Sequence, residues 1–464
     1  VSGRVSCMSR LTLRSPASRV RNVAFSRGQY PRRMATLLHP APLHPTATPG
    51  PEALLFRYQS VRATSLALAA PLSAEDAMVQ SMPDASPAKW HLAHTTWFFE
   101  RFALATQDGY RAIEPAWDVL FNSYYQSVGP MHPRPQRGLL SRPTLPAVLD
   151  YRLQVDDRIE RALAAGALDA TARRRIVLGL QHEQQHQELL LTDIKHALWC
   201  NPLRPAYRAD LRVATAPAAP LRWIGREEQL GHVGAPAWPD AGGFAFDNES
   251  PRHRVLVPAH ALASRPVSNA EYREFIDAGG YRDPAVWLSD GWALASAAGW
   301  SHPLYWEADL EHEFTLAGSR AIDPHAPVCH LSQYEADAFA RWAGARLPTE
   351  TEWETQADGQ PLRGNFLDND ALHPLAEGAS SAPLQQLFGD VWEWTASAYL
   401  AYPGFQPMAG SLGEYNGKFM SGQCVLRGGS CATPRDHVRA SYRNFFHAQD
   451  RWQFSGVRLA RDAA

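Results

Sequence analysis

The chain has 464 residues, 45% of them hydrophobic and 20% charged, and a formal net charge of −2. That balance describes an ordinary globular chain of roughly two to four domains and gives no reason to expect a nucleic acid or an anionic membrane as partner. No run of roughly 18 apolar residues occurs, so a membrane span is not expected, and five scattered cysteines without a CxxC pattern read as reduced thiols in a cytoplasmic setting.

Residues 1–33 carry eight arginines and no acid; the first acidic residue is Glu52. This stretch lacks the apolar segment of a secretory signal. It has the composition of a transit peptide, and equally of upstream sequence translated ahead of Met34-Ala35-Thr36, the reading favoured here. Residues 1–51, Pro-rich from 40, are expected to be disordered and outside the fold. From Glu52 the pattern turns helical. Leu54 to Leu68 is amphipathic, Ser73-Ala74-Glu75-Asp76 has the form of a helix start, and Ser86-Pro87 opens a second helix running through Glu100. Residues 107–143 are irregular, after which Leu145 to Ala165 and Ala172 to Leu198 read as long helices. Helices joined with one long connection predict a four-helix bundle over 52–200, a fold whose core commonly houses metal sites. Four prolines in 201–221 mark a linker. Residues 222–464 change to short strands, Gly/Pro turns and tryptophans, with helices at Ser268 to Ala278 and Ser332 to Ala343 and strand-like alternation from Val425 to Arg461. The expected fold is therefore multidomain, an α bundle followed by an α+β domain.

The fourth helix contains Gln181-His182-Glu183-Gln184-Gln185-His186-Gln187-Glu188. His182 and His186, four apart, lie one turn above the other on one face, a spacing that suits two imidazoles on one metal ion. A polar helix surface can carry the same pair, but Leu189, Leu190, Leu191 and Ile194 predict a buried helix, and a buried imidazole needs a partner. The second helix offers His91 and His94, three apart. Spacing barely separates them; His94 is taken as the third ligand and His91 as its support. Three imidazoles leave coordination positions open for substrate and oxygen. The loop that follows holds Tyr124 and Tyr125, a pair able to donate protons or redox equivalents or simply to pack. Arg134 and Arg137 sit on a proline-stiffened segment suited to carboxylate recognition.

The segments Trp90-His91-Leu92-Ala93-His94-Thr95-Thr96-Trp97-Phe98-Phe99-Glu100 and His182-Glu183-Gln184-Gln185-His186-Gln187-Glu188 resemble the DinB-like bundle of the ergothioneine-biosynthesis sulfoxide synthases. These are non-haem iron(II) enzymes that join a cysteine-type thiol to hercynine using O2. The second half is similar to their formylglycine-generating-enzyme-like domain, a C-type-lectin-like fold. The marks are Arg346-Leu347-Pro348-Thr349-Glu350-Thr351-Glu352-Trp353-Glu354, Gly389-Asp390-Val391-Trp392-Glu393-Trp394-Thr395 and Leu426-Arg427-Gly428-Gly429-Ser430. The resemblance implies Fe(II) as cofactor on His94, His182 and His186, and hercynine, cysteine and O2 as substrates. It implies Gln185 beside the bound imidazole, Arg134 and Arg137 on the thiol's carboxylate, and Asn444 with an aromatic Phe445 against the betaine, where a quaternary ammonium favours a π face.

Two departures bear on the thiol. Members that use γ-glutamylcysteine place an Asp and then an Arg shortly after the Asn; here the stretch reads Phe445-Phe446-His447-Ala448-Gln449-Asp450. Tyr124-Tyr125 resembles the branch that takes free cysteine, where adjacent tyrosines are catalytic. The other branch draws its tyrosine from the second domain, for which Tyr402 and Tyr415 are the candidates. The rival expectations are 5-histidylcysteine sulfoxide synthesis for ovothiol, γ-glutamylcysteine as donor, formylglycine generation, disfavoured because only Cys431 follows Ser430, and a non-catalytic lectin-like module.

Overall fold

The computed structural model describes residues 50–463 except 213, 214, 240–242 and 379; of the disorder expected over 1–51, residues 1–49 lie outside the described residues, and Pro51 is not disordered but the first residue of a helix, where its missing N–H costs nothing. Four long helices form the first part: α1 (Pro51–Ala69), α2 (Ala88–Phe99), α3 (Leu145–Ala164) and α4 (Ala170–Cys200). Local chemistry sets their starts. Pro51 opens α1, the Thr144 hydroxyl caps α3 by accepting from Ala147 N, and the Asp169 carboxylate caps α4 by accepting from Ala172 N at 2.6 Å. α2 continues into a π-helical turn, Glu100–Leu104, where the buried Glu100 accepts from the hydroxyls of Tyr110 and Tyr151, each at 2.6 Å.

The helix expected from Ser73 does not form. Ser73 and Asp76 bond each other's backbone N–H, but only the 3-10 turn Asp76–Met78 follows. Gln80 instead ties the chain to the Ala85 and Arg134 carbonyls and to Gly138 N. The connection 107–143 is mostly irregular, with short turns at Pro115–Trp117, Asp118–Phe121 and Arg134–Leu139.

After Cys200 no regular element occurs among the described residues until a strand at Trp223–Arg226. A four-stranded sheet runs in the order Ser455–Gly456, Trp392–Ala398, Gln423–Arg427, Asn444–His447, and a three-stranded sheet in the order Trp223–Arg226, His260–Ala263, Ala460–Asp462. The two expected helices appear as Asn269–Asp277 and Gln333–Trp342, each started by a reciprocal Ser/Glu cap. Helices at Ser289–Ala298 and Glu350–Ala357 were not anticipated. The stretch from Val425 to Arg461 is less strand-like than its alternation suggests. Its long loops are held by buried guanidinium–carboxylate pairs, Arg427 with Glu354 at 2.6 Å and Arg458 with Glu393 at 2.7 Å, in place of a continuous ladder. The four described cysteines are free, and no described helix is long and apolar enough to cross a membrane.

Gly179 shows why α4 carries a single glycine within its run: a Cβ there would stand 2.5 Å from the Phe99 ring of α2. Gly179→Ala is expected to destabilise the protein by roughly 1–3 kcal/mol through overpacking, more than offsetting the alanine's helix propensity. Chemical denaturation checks this, and an unchanged or raised midpoint contradicts it.

Candidate metal centre

His94 of α2 and His182 and His186 of α4 come together, with one ring nitrogen from each lying within 4.8 Å of the others. Two of the three rings have their proton placed by the hydrogen-bond network. His94 Nδ1 lies 2.6 Å from the Phe121 carbonyl and must donate to it, which leaves Nε2 with its lone pair free. His91 Nε2 lies 3.1 Å from the Asp193 carboxylate, and His91 Nδ1 lies 2.8 Å from His186 Nδ1. With His91 donating to the acid, its Nδ1 accepts from His186, so the free lone pair of His186 is on Nε2. His182 Nδ1 is buried without a partner, and its Nε2 stands 3.2 Å from His94 Nε2, a separation natural for two nitrogens sharing one small cation. Burial lowers the pKa of all three rings, His182 to about 3, so they present neutral lone pairs. The donor set therefore fits a divalent transition metal.

The eight residues from Gln181 to Glu188 divide among three fronts. Glu183 and Gln187 face the other bundle helices. Burial alone would raise the Glu183 pKa, but Arg152 at 2.6 Å and Arg62 at 2.8 Å hold it down to about 2, and Gln187 donates to the Val61 carbonyl. His182 and His186 face α2. Gln181, Gln184, Gln185 and Glu188 form the helical stripe i, i+3, i+4, i+7 and face the second domain. They meet His437 at 2.7 Å, Asp436 at 2.6 Å, the Tyr442 hydroxyl at 2.6 Å, and the trio Ser430, Thr433 and Trp392 at 2.5–2.8 Å.

The other expected site residues are placed unequally. Tyr125 is fully buried and its hydroxyl lies 3.5 Å from that of Tyr124. Tyr415 of the second domain sets its ring 5.7 Å from Tyr124 and 5.4 Å from His182. Loss of solvent raises the pKa of all three tyrosines well above the usual value, so they are protonated. Tyr402 lies elsewhere, among His253, Arg427 and Arg443. Arg137 is buried 3.4 Å over the Trp90 ring, which itself stacks on His94, and it bonds the hydroxyls of Ser86 and Ser123. Among the described residues no carboxylate forms a salt bridge with it. Arg134 does not join it: this side chain is exposed and donates to the Asp84 carbonyl. Asn444 accepts from Phe445 N, and the Phe445 ring is stacked 4.0 Å from Tyr399. From the second domain it is instead Tyr415 that sets its ring against His182, with Phe246 5.5 Å from Tyr415, while Tyr442 bonds Gln185. Phe246, Tyr442, His437 and Asp193 escaped the sequence reading. Tyr442 had a signal available, standing two residues before Asn444; the others have no local pattern.

A helical bundle that gathers three histidines, closed by an α+β domain, defines a two-domain protein with a candidate metal centre. Residues 57–190 match the DinB superfamily, and residues 232–382 and 376–463 match the sulfatase-modifying factor enzyme 1-like domain. The chain is 34% identical to the hercynine oxygenase of Mycolicibacterium thermoresistibile, over 82% of this chain and 88% of that protein. It is 32% identical to the hercynine oxygenase of Mycobacterium tuberculosis, over 89% of this chain and 99% of that protein. The bovine formylglycine-generating enzyme is 25% identical over 40% of this chain and 60% of that protein. The chain belongs to the hercynine oxygenase family.

The His91 relay makes a prediction about metal binding alone. His91→Phe, which removes the acceptor for His186, is expected to weaken Co(II) or Fe(II) binding by about 10–100-fold, whereas His91→Gln, which keeps an acceptor, retains most of the affinity. Titration of the metal-free protein checks this; equal affinity of His91→Phe and the parent contradicts it.

Proposed function

We propose that the chain is an iron(II)- and O2-dependent sulfoxide synthase that joins the sulfur of cysteine to the imidazole ring of hercynine. The observation that carries this reading is the convergence of three neutral imidazoles beside Arg137, a buried cation without a carboxylate partner. In the overall change a C–H and an S–H bond are lost, a C–S bond forms, one oxygen atom ends on sulfur and the other leaves as water. Iron(II) held by His94, His182 and His186 supplies the O2 activation and the thiolate binding that this change requires.

The chain's own groups do the rest. Arg137, steadied by Ser86, Ser123 and Trp90, offers charge-assisted bonds to the cysteine carboxylate. Gln185, whose amide N–H2 is committed to Tyr442, keeps its carbonyl for the imidazole N–H of hercynine. Tyr415, Phe246 and Tyr442 offer π surface to the trimethylammonium, a role for which Phe445 is less suited with one face on Tyr399. Tyr124 or Tyr125, protonated at neutral pH, delivers a proton as the sulfoxide forms. Cysteine as donor is supported by the tyrosine pair and by the missing Asp/Arg after Asn444.

Anaerobic loading with Fe(II), followed by O2, hercynine and cysteine, is expected to give a hercynine-dependent coupled sulfoxide by mass spectrometry. Arg137→Leu should raise the KM for cysteine by about 10–100-fold, the loss of one charged hydrogen-bond partner, and leave that for hercynine unchanged. Oxidised cysteine alone, or equal turnover with histidine in place of hercynine, would overturn the reading.

A further inference from the structure

Tyr124 and Tyr125 sit in a loop with no helix or strand of its own between Phe121 and Arg134. From the bundle side its backbone is steadied by Asn122, whose side chain bonds Tyr125 N and the carbonyls of Tyr125 and Gly129. Arg137 bonds the Ser123 hydroxyl and His132 N donates to the Val119 carbonyl, and among the described residues the polar ties from the second domain come from one short segment. The Glu414 carboxylate accepts from Gln126 N at 2.9 Å, from Ser127 N at 3.0 Å and from the Ser127 hydroxyl at 2.5 Å. Ser127 also bonds the Ser411 hydroxyl at 2.8 Å, and Lys418, 3.2 Å from Glu414, donates to the Tyr124 carbonyl. Two successive backbone N–H groups turned toward one carboxylate form an anion cradle.

We infer that Glu414 is a positioning residue that fixes the tyrosine loop of the bundle against the metal centre from the second domain. Its neighbour Tyr415 places its ring against both Tyr124 and His182, so one carboxylate sets the spacing between a tyrosine pair on one domain and a tyrosine on the other. Burial would raise the Glu414 pKa, but the bonds from Ser127 and Gln126 pull it down to about 2, so the cradle stays filled by a charge across the working pH range. Among the described residues the Glu414 carboxylate bonds Gln126, Ser127 and Lys418 and no candidate substrate-binding side chain. Its effect passes through the tyrosines, and the inference rests on the proposed role of Tyr124 or Tyr125 in delivering a proton as the coupled sulfoxide forms.

The test compares Glu414→Ala and Glu414→Gln with the parent protein loaded with Fe(II). It reads coupled sulfoxide against uncoupled cysteine oxidation per O2 consumed, amide exchange at residues 124–128, and Co(II) affinity. The coupled fraction is expected to fall about tenfold or more in Glu414→Ala, the scale of a displaced catalytic group, and less in Glu414→Gln. Amide exchange should quicken while Co(II) affinity holds. An unchanged coupled fraction in both variants overturns the inference, as does a matching loss of Co(II) affinity. If the parent itself forms no coupled product, the proposed function fails, and amide exchange alone judges the clamp: faster exchange upholds it and unchanged exchange removes it.

Discussion

The structure depends on one helix having no free side. Over Gln181 to Glu188, α4 is packed against α2, against α1 and α3, and against the second domain, and it is almost wholly buried. A buried polar group without a partner costs about 1–3 kcal/mol, so eight consecutive polar side chains in this position require eight sets of partners. The fold supplies them except at two buried atoms, His182 Nδ1 and the Gln184 side-chain carbonyl. Each of the three fronts fixes the helix about its own axis, and the two histidines take their direction from the other six residues.

The centre is therefore a product of both domains, although its three candidate ligands come from the bundle alone. Glu188, clamped by Ser430, Thr433 and Trp392, stands two residues from His186. Gln185, adjacent to His186, is set by Tyr442. The electrostatics follow from the same burial. Imidazoles lose their protons, phenols keep theirs, and buried guanidiniums are paired: Arg152 with Glu183, Arg427 with Glu354, Arg443 with Glu350, Arg458 with Glu393. Among the described residues Arg137 is the buried guanidinium without a salt bridge. Leaving a buried charge unpaired is strongly unfavourable, on the order of 3–5 kcal/mol when a partner is removed, and a substrate carboxylate is the partner that the proposed reaction brings.

What the sequence made legible follows the range of the interactions involved. His182 and His186 were readable because helical spacing is local. The choice between His91 and His94 was not, because it is made by the Phe121 carbonyl and the Asp193 carboxylate, one distant in sequence and the other on a different helix. Gln181, Gln184 and Glu188 carry no readable role in the sequence because their partners lie some 200 residues or more away, on loops with no regular pattern. Arg134 and Arg137 share a proline-stiffened segment, yet the Asp84 carbonyl holds one outside while Trp90 takes the other inward. Ser73-Ala74-Glu75-Asp76 carries a helix-start signal that tertiary ties at Gln80 override. The two-domain architecture, by contrast, was visible in the change from long periodic runs to short segments after Cys200.

The central claim is that His94, His182 and His186 hold one iron ion through Nε2, with proton positions set by Phe121 and by the Asp193–His91 relay. Crystals grown anaerobically with Fe(II) and measured on both sides of the iron absorption edge test it most directly. A single strong anomalous peak at bonding distance from the three Nε2 atoms, with His186 Nδ1 still on His91, is the predicted result. A peak elsewhere, or one bonded to His91 in place of His94 or His186, would contradict the account.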